Sequence, residues 1–458
     1  MTDWLEKVNG IVWGVPALLG ILGVGAYLSV RTGFAQLRLL PMALKRFFGM
    51  LFRGSDVQEG ITPVQALCTA LAATVGTGNL VGVAGAICLG GPGAVFWMWI
   101  GGILGMGTKF CEAMLAVRYR QKRGNEYIGG PMYIISRGMG KKWQPLAAAY
   151  AIFGVIAAFG VGNATQINSV ISGVNTVMGQ FGVQKSLWLD LLLGAFLGVL
   201  TGVLLMGGGK RIARAAEKLV PIASAAYILL CIGALVVCRS RIPYAFTAIL
   251  HGAFEPKAVT GGMLGSAFLA LRIGCARGVF TNEAGLGTAA IAHAGAQVEH
   301  PGEQGLLGIV EVFLDTIVIC TMTALVILTS GAGVPYGTDA GGTLTTQAFA
   351  SVYGDWVSVF IALALCCFAI ATVLGWGLYG GRCAEFLFGS GCWKWFVLAQ
   401  TLMVVIGAVM DTGAVWLAAE TVNGLMAIPN LIALAYLSPE IERLTKDYKR
   451  KNAQRTTL

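Results

Sequence analysis

Runs of about twenty apolar residues recur along almost the whole chain, and they constrain its fold more than any other feature. At about 1.5 Å per residue, each run is long enough to cross the hydrocarbon core of a bilayer as a helix. Of the 458 residues, 56% are hydrophobic and 12% are charged, whereas soluble domains average about 25% charged residues. The sequence therefore predicts an all-α integral membrane protein with no room for a soluble domain.

We expect about 11 transmembrane helices. Their predicted positions lie near residues 11–30, 63–88, 93–117, 145–173, 187–206, 213–238, 261–292, 304–331, 343–376, 393–411 and 413–437. The N-terminal residues lack the basic region and cleavage site of a signal peptide, so the first span is expected to be retained.

Lys and Arg residues are concentrated in the connections after the first, third, fifth and ninth spans and in the C-terminal tail. With 11 spans, these segments all fall on one side, which the positive-inside rule identifies as the cytoplasm. The connection around Arg239 and Arg241 is a mildly basic exception. The formal charge of +10 thus indicates orientation in a lipid bilayer, with the N-terminus outside and the C-terminus cytoplasmic, and not a nucleic-acid surface.

The residue inventory argues against an enzyme. The 11 cysteines lie mostly within apolar runs and are interpreted as small packing residues. The three histidines, at positions 251, 293 and 300, form no metal-ligand pattern with them, and His293 is expected at the surface. A mechanism using Asp315 and Glu283 is conceivable, but nothing in the sequence aligns the two carboxylates. We expect no organic cofactor.

The second predicted span contains the sequence TVGTGN at residues 74–79. In hydrocarbon an unsatisfied backbone amide costs several kcal/mol, so a membrane helix is interrupted only where the freed groups find partners. Glycines that merely allow close packing would leave Asn79 and two threonines unexplained. A break here would direct the N–H groups after Gly78 at an anion and the carbonyls near Thr74 at a monovalent cation.

The seventh predicted span contains a second candidate break, five spans after the first. It combines glycines 274, 278, 285 and 287 with Arg272, Arg277, Asn282 and Glu283. Charged residues are costly at mid-bilayer unless they are paired or face a cavity, so the segment is either a loop or a non-helical stretch that lines a cavity. The offset of five spans is typical of two inverted repeats.

Two further acidic residues have open roles. Asp315, in the eighth span, is either a functional carboxylate or the partner of Arg272 or Arg277. Glu283 either closes an inner gate or caps the second half-helix, where its charge favours the positive end of the helix dipole.

Several motifs resemble the alanine or glycine:cation symporters, a family with leucine-transporter-like inverted repeats. They are TGNLVGVAGAICLGGPGAVFWMW (77–99), GNATQINS (162–169), ARGVFTNEAGLGTAAIAHA (276–294), FLDTIVICT (313–321) and ATVLGWGLYGGRC (371–383). The resemblance implies a peripheral first helix with a basic loop (1–60), five-helix repeats at 61–240 and 241–437, and a cytoplasmic tail (438–458).

The resemblance also implies a site. The substrate-binding residues would be Thr77, Gly78, Asn79, Gln166, Gly274 and Trp376. A sodium ion would be held by the carbonyls of Ala72, Val75 and Phe368 and the hydroxyl of Thr372. Many relatives carry a second hydroxyl where this chain has Ala371, so proton coupling remains an alternative to sodium.

The small residues around the first break favour alanine, glycine or serine over leucine as the substrate. Trp376 could instead be an interfacial anchor, and Gln166 could simply bridge helices. The expected function is import of a small neutral amino acid by a monomer in a prokaryotic cytoplasmic (inner) membrane. A channel is disfavoured because one asymmetric chain carries two unlike breaks, and a sensor that binds without transport remains open.

Overall fold

A computed structural model describes residues 2–53, 60–180, 182–255, 267–338, 341–410 and 413–456. The helices, numbered in chain order, are α1 (Thr2–Val12), α2 (Val15–Arg31), α3 (Ala35–Arg38), α4 (Leu40–Arg53), α5 (Pro63–Thr74), α6 (Val83–Gly90), α7 (Gly93–Tyr119), α8 (Pro131–Ile134), α9 (Gln144–Phe159), α10 (Thr165–Gln180), α11 (Leu187–Met206), α12 (Gly208–Val237), α13 (Ile242–Phe254), α14 (Ala267–Asn282), α15 (Thr288–Ala294), α16 (Pro301–Val312), α17 (Thr321–Ser330), α18 (Gly341–Tyr353), α19 (Val357–Phe388), α20 (Trp393–Val409), α21 (Gly413–Tyr436) and α22 (Ser438–Thr456).

Irregular helical turns join several of these elements. Short π-helical segments precede α6 (Gly78–Gly82), α10 (Gly160–Ala164) and α17 (Phe313–Cys320). All three lie in predicted spans that carry site candidates, and π-helical turns are frequent at functional sites.

The predicted all-α membrane architecture is confirmed. Among the described residues, nine helices are long and apolar enough to span a membrane, and a tenth span follows if Pro63–Thr74 and Gly78–Gly90, bent by 53°, are counted as one. The seventh predicted span is divided into α14 and α15, and its first six residues lie outside the described part of the chain. The count of 11 and the division into two repeats stay predictions.

The ninth predicted span, 343–376, is wrong. The chain instead forms the short helix α18, a turn at Gly354 with φ of +84°, and the long helix α19. Hydropathy does not reveal this turn, because the residues on both sides of it are mostly apolar. The shift moves Trp376 from the end of a span to the interior of one.

The polar tail after residue 437 folds as α22 and packs against the bundle. Arg31 and Arg118 form ion pairs of 3.0 Å with Glu442 and Glu440 of this helix, and the side chain of Tyr448 is buried. A two-stranded hairpin follows α7, with β1 (Gln121–Arg123) antiparallel to β2 (Glu126–Ile128). Neither element was predicted.

The basic connections gather at one end of the bundle. Arg382, near the end of α19, pairs with Glu126 of the hairpin at 2.6 Å and with Glu385 at 2.8 Å. Arg46, on α4, pairs with Glu303 of α16 at 3.1 Å. We call this end, with the hairpin and α22, the basic end.

Candidate functional site

The first predicted break is present between α5 and the π-helical segment Gly78–Gly82. The backbone of Val75 is extended, with ψ of 103°. The Gly76 N–H donates to Oδ1 of Asn79 at 2.8 Å, and the Asn79 N–H donates to the Gly76 carbonyl at 3.3 Å. In a continuous helix these two N–H groups would pair with the carbonyls of Ala72 and Val75. Their diversion releases both carbonyls from helical pairing, and both were predicted as cation ligands.

The second break lies at residues 283–287, between α14 and α15. Glu283, Gly285 and Gly287 all have positive φ, at +53°, +92° and +78°. Such angles are strained for the non-glycine residue and readily adopted by the two glycines. The break therefore begins where the motif NEAGLG passes from Asn282 to Glu283.

Of the four glycines predicted for this break, Gly285 and Gly287 lie in it, whereas Gly274, a substrate-binding residue implied by the resemblance, does not. Gly274 lies inside the continuous helix α14, where a Cβ atom would be 2.2 Å from the carbonyl oxygen of Ala94. The glycine is there because α14 and α7 pack closely, as small residues allow in membrane bundles. Its carbonyl is therefore not part of an unwound segment.

Asp315 links the two breaks. Its Oδ1 accepts a hydrogen bond from Nδ2 of Asn79 at 2.7 Å, and its Oδ2 accepts one from the Thr316 hydroxyl at 2.8 Å. The Thr316 hydroxyl in turn accepts from Nδ2 of Asn282 at 3.0 Å. We call Asn79, Asp315, Thr316 and Asn282 the break-linking chain, and all four side chains are buried.

Two predictions change as a result. Both oxygens of Asp315 are used by amide and hydroxyl donors, so the predicted ion pair with Arg272 or Arg277 is wrong. Arg272 is exposed and Arg277 is half-buried. The carboxamide of Asn79 is held on both sides by Gly76 and Asp315, which gives it a role in shaping the break.

A small cavity of about 20 Å³ lies between the two breaks. That volume holds about one water molecule, so the site is closed in this conformation. The lining residues come from both breaks and from two other helices: Ala73, Thr74, Gly76, Thr77, Gly78, Val161, Gln166, Phe280, Thr281, Glu283, Thr372 and Trp376.

Six of the predicted site residues therefore meet around one cavity: Thr77, Gly78, Gln166, Glu283, Thr372 and Trp376. Sequence reasoning missed Phe280 and Thr281. They are the two residues before Asn282 in the seventh predicted span, and restricting the predicted break to Gly285 and Gly287 would have placed both beside it.

Gln166 both lines the cavity and bridges helices. Its Oε1 accepts from the Thr77 hydroxyl at 3.3 Å, and its Nε2 donates to the Val161 carbonyl at 3.1 Å. Because Val161 belongs to the π-helical segment Gly160–Ala164, Gln166 connects the first break to a second irregular turn.

Trp376 is fully buried in the middle of α19, so its interpretation as an interfacial anchor is wrong. The indole Nε1 donates to Oε1 of Glu283 at 3.2 Å, while Oε2 of Glu283 accepts from the Thr288 hydroxyl at 2.5 Å. Glu283 thus lies beside the first residue of α15. Gly162 makes room for the indole, since a Cβ there would be 2.2 Å from the Cβ of Trp376.

The residues predicted to hold a cation lie where α5 contacts α19. A Cβ on Gly76 would be 2.9 Å from the Thr372 hydroxyl, and one on Gly375 would be 2.9 Å from the Cβ of Ala73. The Thr372 hydroxyl donates to the Phe368 carbonyl at 3.0 Å. Its oxygen retains lone pairs that can accept or coordinate.

A buried ionic network, which sequence reasoning missed, supports the second half-helix. Lys109 Nζ lies 2.9 Å from Glu311 Oε1, and His293 Nε2 lies 2.8 Å from Glu311 Oε2. Gln304 Nε2 approaches His293 Nδ1 at 2.7 Å. All four side chains are fully buried, so the expectation that His293 lies at the surface is wrong. Charged residues inside the third and eighth apolar spans were the available signal.

Glu112 anchors the second break from another side. Its Oε1 accepts from the Gly285 N–H at 3.0 Å and from Nδ2 of Asn430 at 2.7 Å. The same Asn430 amide donates to the Gly285 carbonyl at 2.9 Å. The Gly285 N–H and carbonyl are therefore both paired, with side chains of α7 and α21, as a non-helical backbone in a bilayer requires.

A larger cavity of about 760 Å³, the vestibule, lies at the end of the bundle away from the basic end. Its lining includes Val81, Ser169, Ser172, Thr346 and Asp355. Val81 and Ser169 are three residues beyond Gly78 and Gln166, so the vestibule begins within one helical turn of the closed cavity. Hydroxyls and a carboxylate make this approach hydrophilic.

Known proteins share both the sequence and the fold. Residues 1–457 match the model of the sodium:alanine symporter family. The sodium/alanine symporter AgcS of Methanococcus maripaludis is 42% identical over 458 residues, which cover 98% of each chain. The chain belongs to the sodium:alanine symporter family. Membership confirms a multi-pass membrane transporter for amino acids with a coupling cation, and not an enzyme.

One further relative and one solved structure are also similar to this chain. The probable sodium/glutamine symporter GlnT of Bacillus subtilis is 37% identical over 98% of this chain and 92% of its own. The crystal structure of MhsT in complex with L-phenylalanine matches with a TM-score of 0.53 and 14% identity, over 84% of this chain and 98% of MhsT. At that identity the match shows the fold alone, which is the leucine-transporter fold.

Proposed function

We propose that this symporter imports a small neutral amino acid, namely alanine, glycine or serine, by sodium-coupled symport with alternating access. One observation carries the proposal: residues from both helix breaks, together with Gln166 and Trp376, surround a single buried cavity. Broken helices that meet in the membrane interior are the usual binding geometry of secondary transporters. The printed name of AgcS, a sodium/alanine symporter, agrees with this substrate and ion.

The two breaks offer opposite charges to a zwitterion. The half-helix that starts at Gly78 directs its first N–H groups and its positive dipole end at the cavity, which suits a carboxylate. Glu283 lines the same cavity, and its carboxylate suits the substrate's ammonium group. The family resemblance implied Gly274 and the carbonyls near it as partners of that ammonium group, and we assign this role to Glu283 instead. Asn79 then acts on the substrate indirectly, by holding Gly76.

The walls of the cavity favour a short side chain. Trp376 is fixed by Glu283 and by close contact with Gly162, and Gln166 is fixed by Thr77 and Val161. A leucine side chain would have to displace both walls, whereas alanine requires a smaller opening. This argument favours alanine over glutamine, the substrate in the printed name of GlnT.

For the coupling ion, we assign sodium to the carbonyls of Ala72, Val75 and Phe368 and the hydroxyl of Thr372. Hard oxygen ligands suit such a cation, and two of the carbonyls are released from helical pairing by the Asn79 turn. Ala371 contributes no hydroxyl, so proton coupling is the alternative. We also propose that the protein is a monomer in the prokaryotic cytoplasmic membrane, with the N-terminus outside and the basic end in the cytoplasm.

The test is counterflow and uptake of radiolabelled alanine in proteoliposomes under separate sodium, potassium and pH gradients. We expect sodium-driven accumulation that glycine and serine inhibit and that leucine and glutamine inhibit little. Accumulation driven only by a pH gradient would establish the proton alternative. Alanine binding without flux under any gradient would establish a sensor.

Thr372→Val tests the ion site. We expect the sodium concentration for half-maximal uptake to rise by about 10-fold, since a lost polar ligand costs about 1–2 kcal/mol. Thr247→Val is the matched control, because the exposed Thr247 makes the same hydrogen bond to the carbonyl four residues earlier. Equal sodium dependence of the two variants would exclude Thr372 as a ligand.

A further inference from the structure

An apolar groove of about 370 Å³ lies between α12 and α19, away from the transport cavity. Its lining is Ala215, Lys218, Leu219, Ile222, Ala223, Ala226, Phe360, Leu363, Ala364 and Cys367. Ile222 and Leu363 are 70% and 61% exposed, so the groove opens to the hydrocarbon of the bilayer. Every lining side chain except Lys218 is uncharged.

The same face of α12 carries three cations towards the basic end. Lys210, Arg214 and Lys218 are spaced four residues apart, and Ile222 and Ala226 continue the row into the groove. All three cationic side chains are exposed, and none has a carboxylate partner among the described residues. The neighbouring Glu217 is engaged elsewhere, as it accepts from Nε2 of Gln65 at 2.9 Å.

The position of these cations along α12 corresponds to the depth of phospholipid headgroups in a bilayer. The 19 residues from Leu219 to Val237 lack charge and span about 28 Å as a helix, close to the thickness of the hydrocarbon core. Lys218 therefore lies at the boundary between headgroups and acyl chains. Gly209, at the start of the helix, lies beside Arg382, which places the row at the basic end.

We propose that this groove and the cations above it form a binding site for an anionic diacyl phospholipid. The phosphate lies against Arg214 and Lys218, and one acyl chain fills the groove along Ile222, Ala223 and Ala226. Clustered cations next to an intramembrane groove recognise anionic headgroups, and unpaired cations at this depth gain most from a phosphate.

A lipid bound in this groove would also contact α19, the helix that carries part of the proposed cation site. Ala364 and Cys367 line the groove, and the next residue, Phe368, supplies one of the carbonyls assigned to the cation. An acyl chain here would pack against α19 one residue before Phe368. The lipid proposal itself rests only on the groove and the cations, and it holds whichever ion the protein transports.

The experiment is native mass spectrometry of the purified full-length protein titrated in detergent with dioleoyl phosphatidylglycerol or dioleoyl phosphatidylcholine. We expect one phosphatidylglycerol to be retained about 10-fold more strongly than phosphatidylcholine. Arg214→Gln/Lys218→Gln should abolish the difference, because each cation near the surface contributes about a factor of five. Thermal unfolding of each variant verifies that it is folded.

Lys141→Gln/Lys142→Gln is the matched control, since it removes two exposed cations near the start of α9 that do not line the groove. This control should keep the preference for phosphatidylglycerol. Ala223→Phe fills the groove while leaving the cations, and it should lower retention of both lipids. The proposal would be overturned if the two double variants lost the preference for phosphatidylglycerol equally. It would also be overturned if lipid retention were unchanged in Arg214→Gln/Lys218→Gln or in Ala223→Phe.

Discussion

Gly162 controls the position of the largest side chain in the site. The backbone of this glycine approaches the Cβ and ring of Trp376 so closely that an added methyl group would overlap them. The indole is held on its other side by Glu283. The absence of a side chain at one position thus fixes the position of Trp376, the residue that we propose as the wall limiting substrate size.

For Gly162→Ala we expect alanine uptake to fall at least about 10-fold, because the indole has to leave its position beside Glu283. Stability should fall by about 1–3 kcal/mol, as is usual for overpacking. Uptake in proteoliposomes and thermal unfolding measure the two effects. Gly179→Ala is the control, because nothing lies within 4 Å of a Cβ at that position. Normal uptake by Gly162→Ala would show that Trp376 does not form the wall.

For single residues, the sequence identified the side chains of the site better than the residues that they contact. Thr77 was found because polar residues in an apolar run need a reason to be there, whereas Gln166 and Thr372 were implied by the family resemblance. Gly274 was misassigned because a glycine that admits a neighbouring helix has the same local signature as one at a break. The partner of Asp315 was missed because Asn79 is 236 residues away, and local sequence offered two arginines instead.

The break-linking chain makes the two broken helices depend on each other. An asparagine side chain shapes the backbone at each break. At the first break Asn79 accepts a hydrogen bond from the Gly76 N–H, and at the second Asn282 accepts one from the Ala284 N–H at 2.9 Å. Asp315 and Thr316 connect the amide nitrogens of the two. We therefore expect a change at either break to be transmitted to the other through the adjacent residues Asp315 and Thr316.

This connection predicts non-additive mutations. Asn79→Ala and Asp315→Ala should each reduce alanine transport strongly, and the double variant should be little worse than either, with a coupling energy of about 1–3 kcal/mol. Transport rates and thermal unfolding of the four proteins complete the cycle. Additive losses would show that the two residues act independently, and full activity of Asn79→Ala would remove this residue from the site.

The buried network around Glu311 predicts that removing one charge destabilises the protein more than removing both. Lys109→Met leaves Glu311 beside the imidazole of His293 without the ammonium group of Lys109, and it should cost about 3–5 kcal/mol, the usual penalty for an unpaired buried charge. Lys109→Met/Glu311→Gln should recover part of this loss, since Gln can still bond to His293. Unfolding in detergent compares the two, and a double variant less stable than the single would contradict the account.

Elements were predictable where a long apolar run coincided with one helix, as for α11 and α20. The sequence failed at α18 and α19 because the turn at Gly354 lies within an otherwise apolar segment. It also failed at α22, whose polar sequence resembles a free tail until the arginines at positions 31 and 118 supply its partners. Those partners are distant in the chain, so no local pattern contains them.

The whole molecule has two unlike ends, which predicts its orientation in the membrane. The ion-paired basic end should face the cytoplasm, and the vestibule should open outside. Cys238, after α12, and Cys392, before α20, lie at opposite ends and are both partly exposed. An impermeant maleimide added to intact cells should label Cys238, and Cys392 only after permeabilisation. Peptide mapping distinguishes the sites, and the reverse pattern would invert the assigned topology.

The closed cavity between the breaks has a thermodynamic consequence. A volume of about 20 Å³ is too small for any amino acid, so the measured affinity contains the free energy of opening. For a protein that is open a fraction of the time, the apparent dissociation constant equals the intrinsic one divided by that fraction. A substitution that never touches the substrate could then tighten binding, simply by making the open form more common.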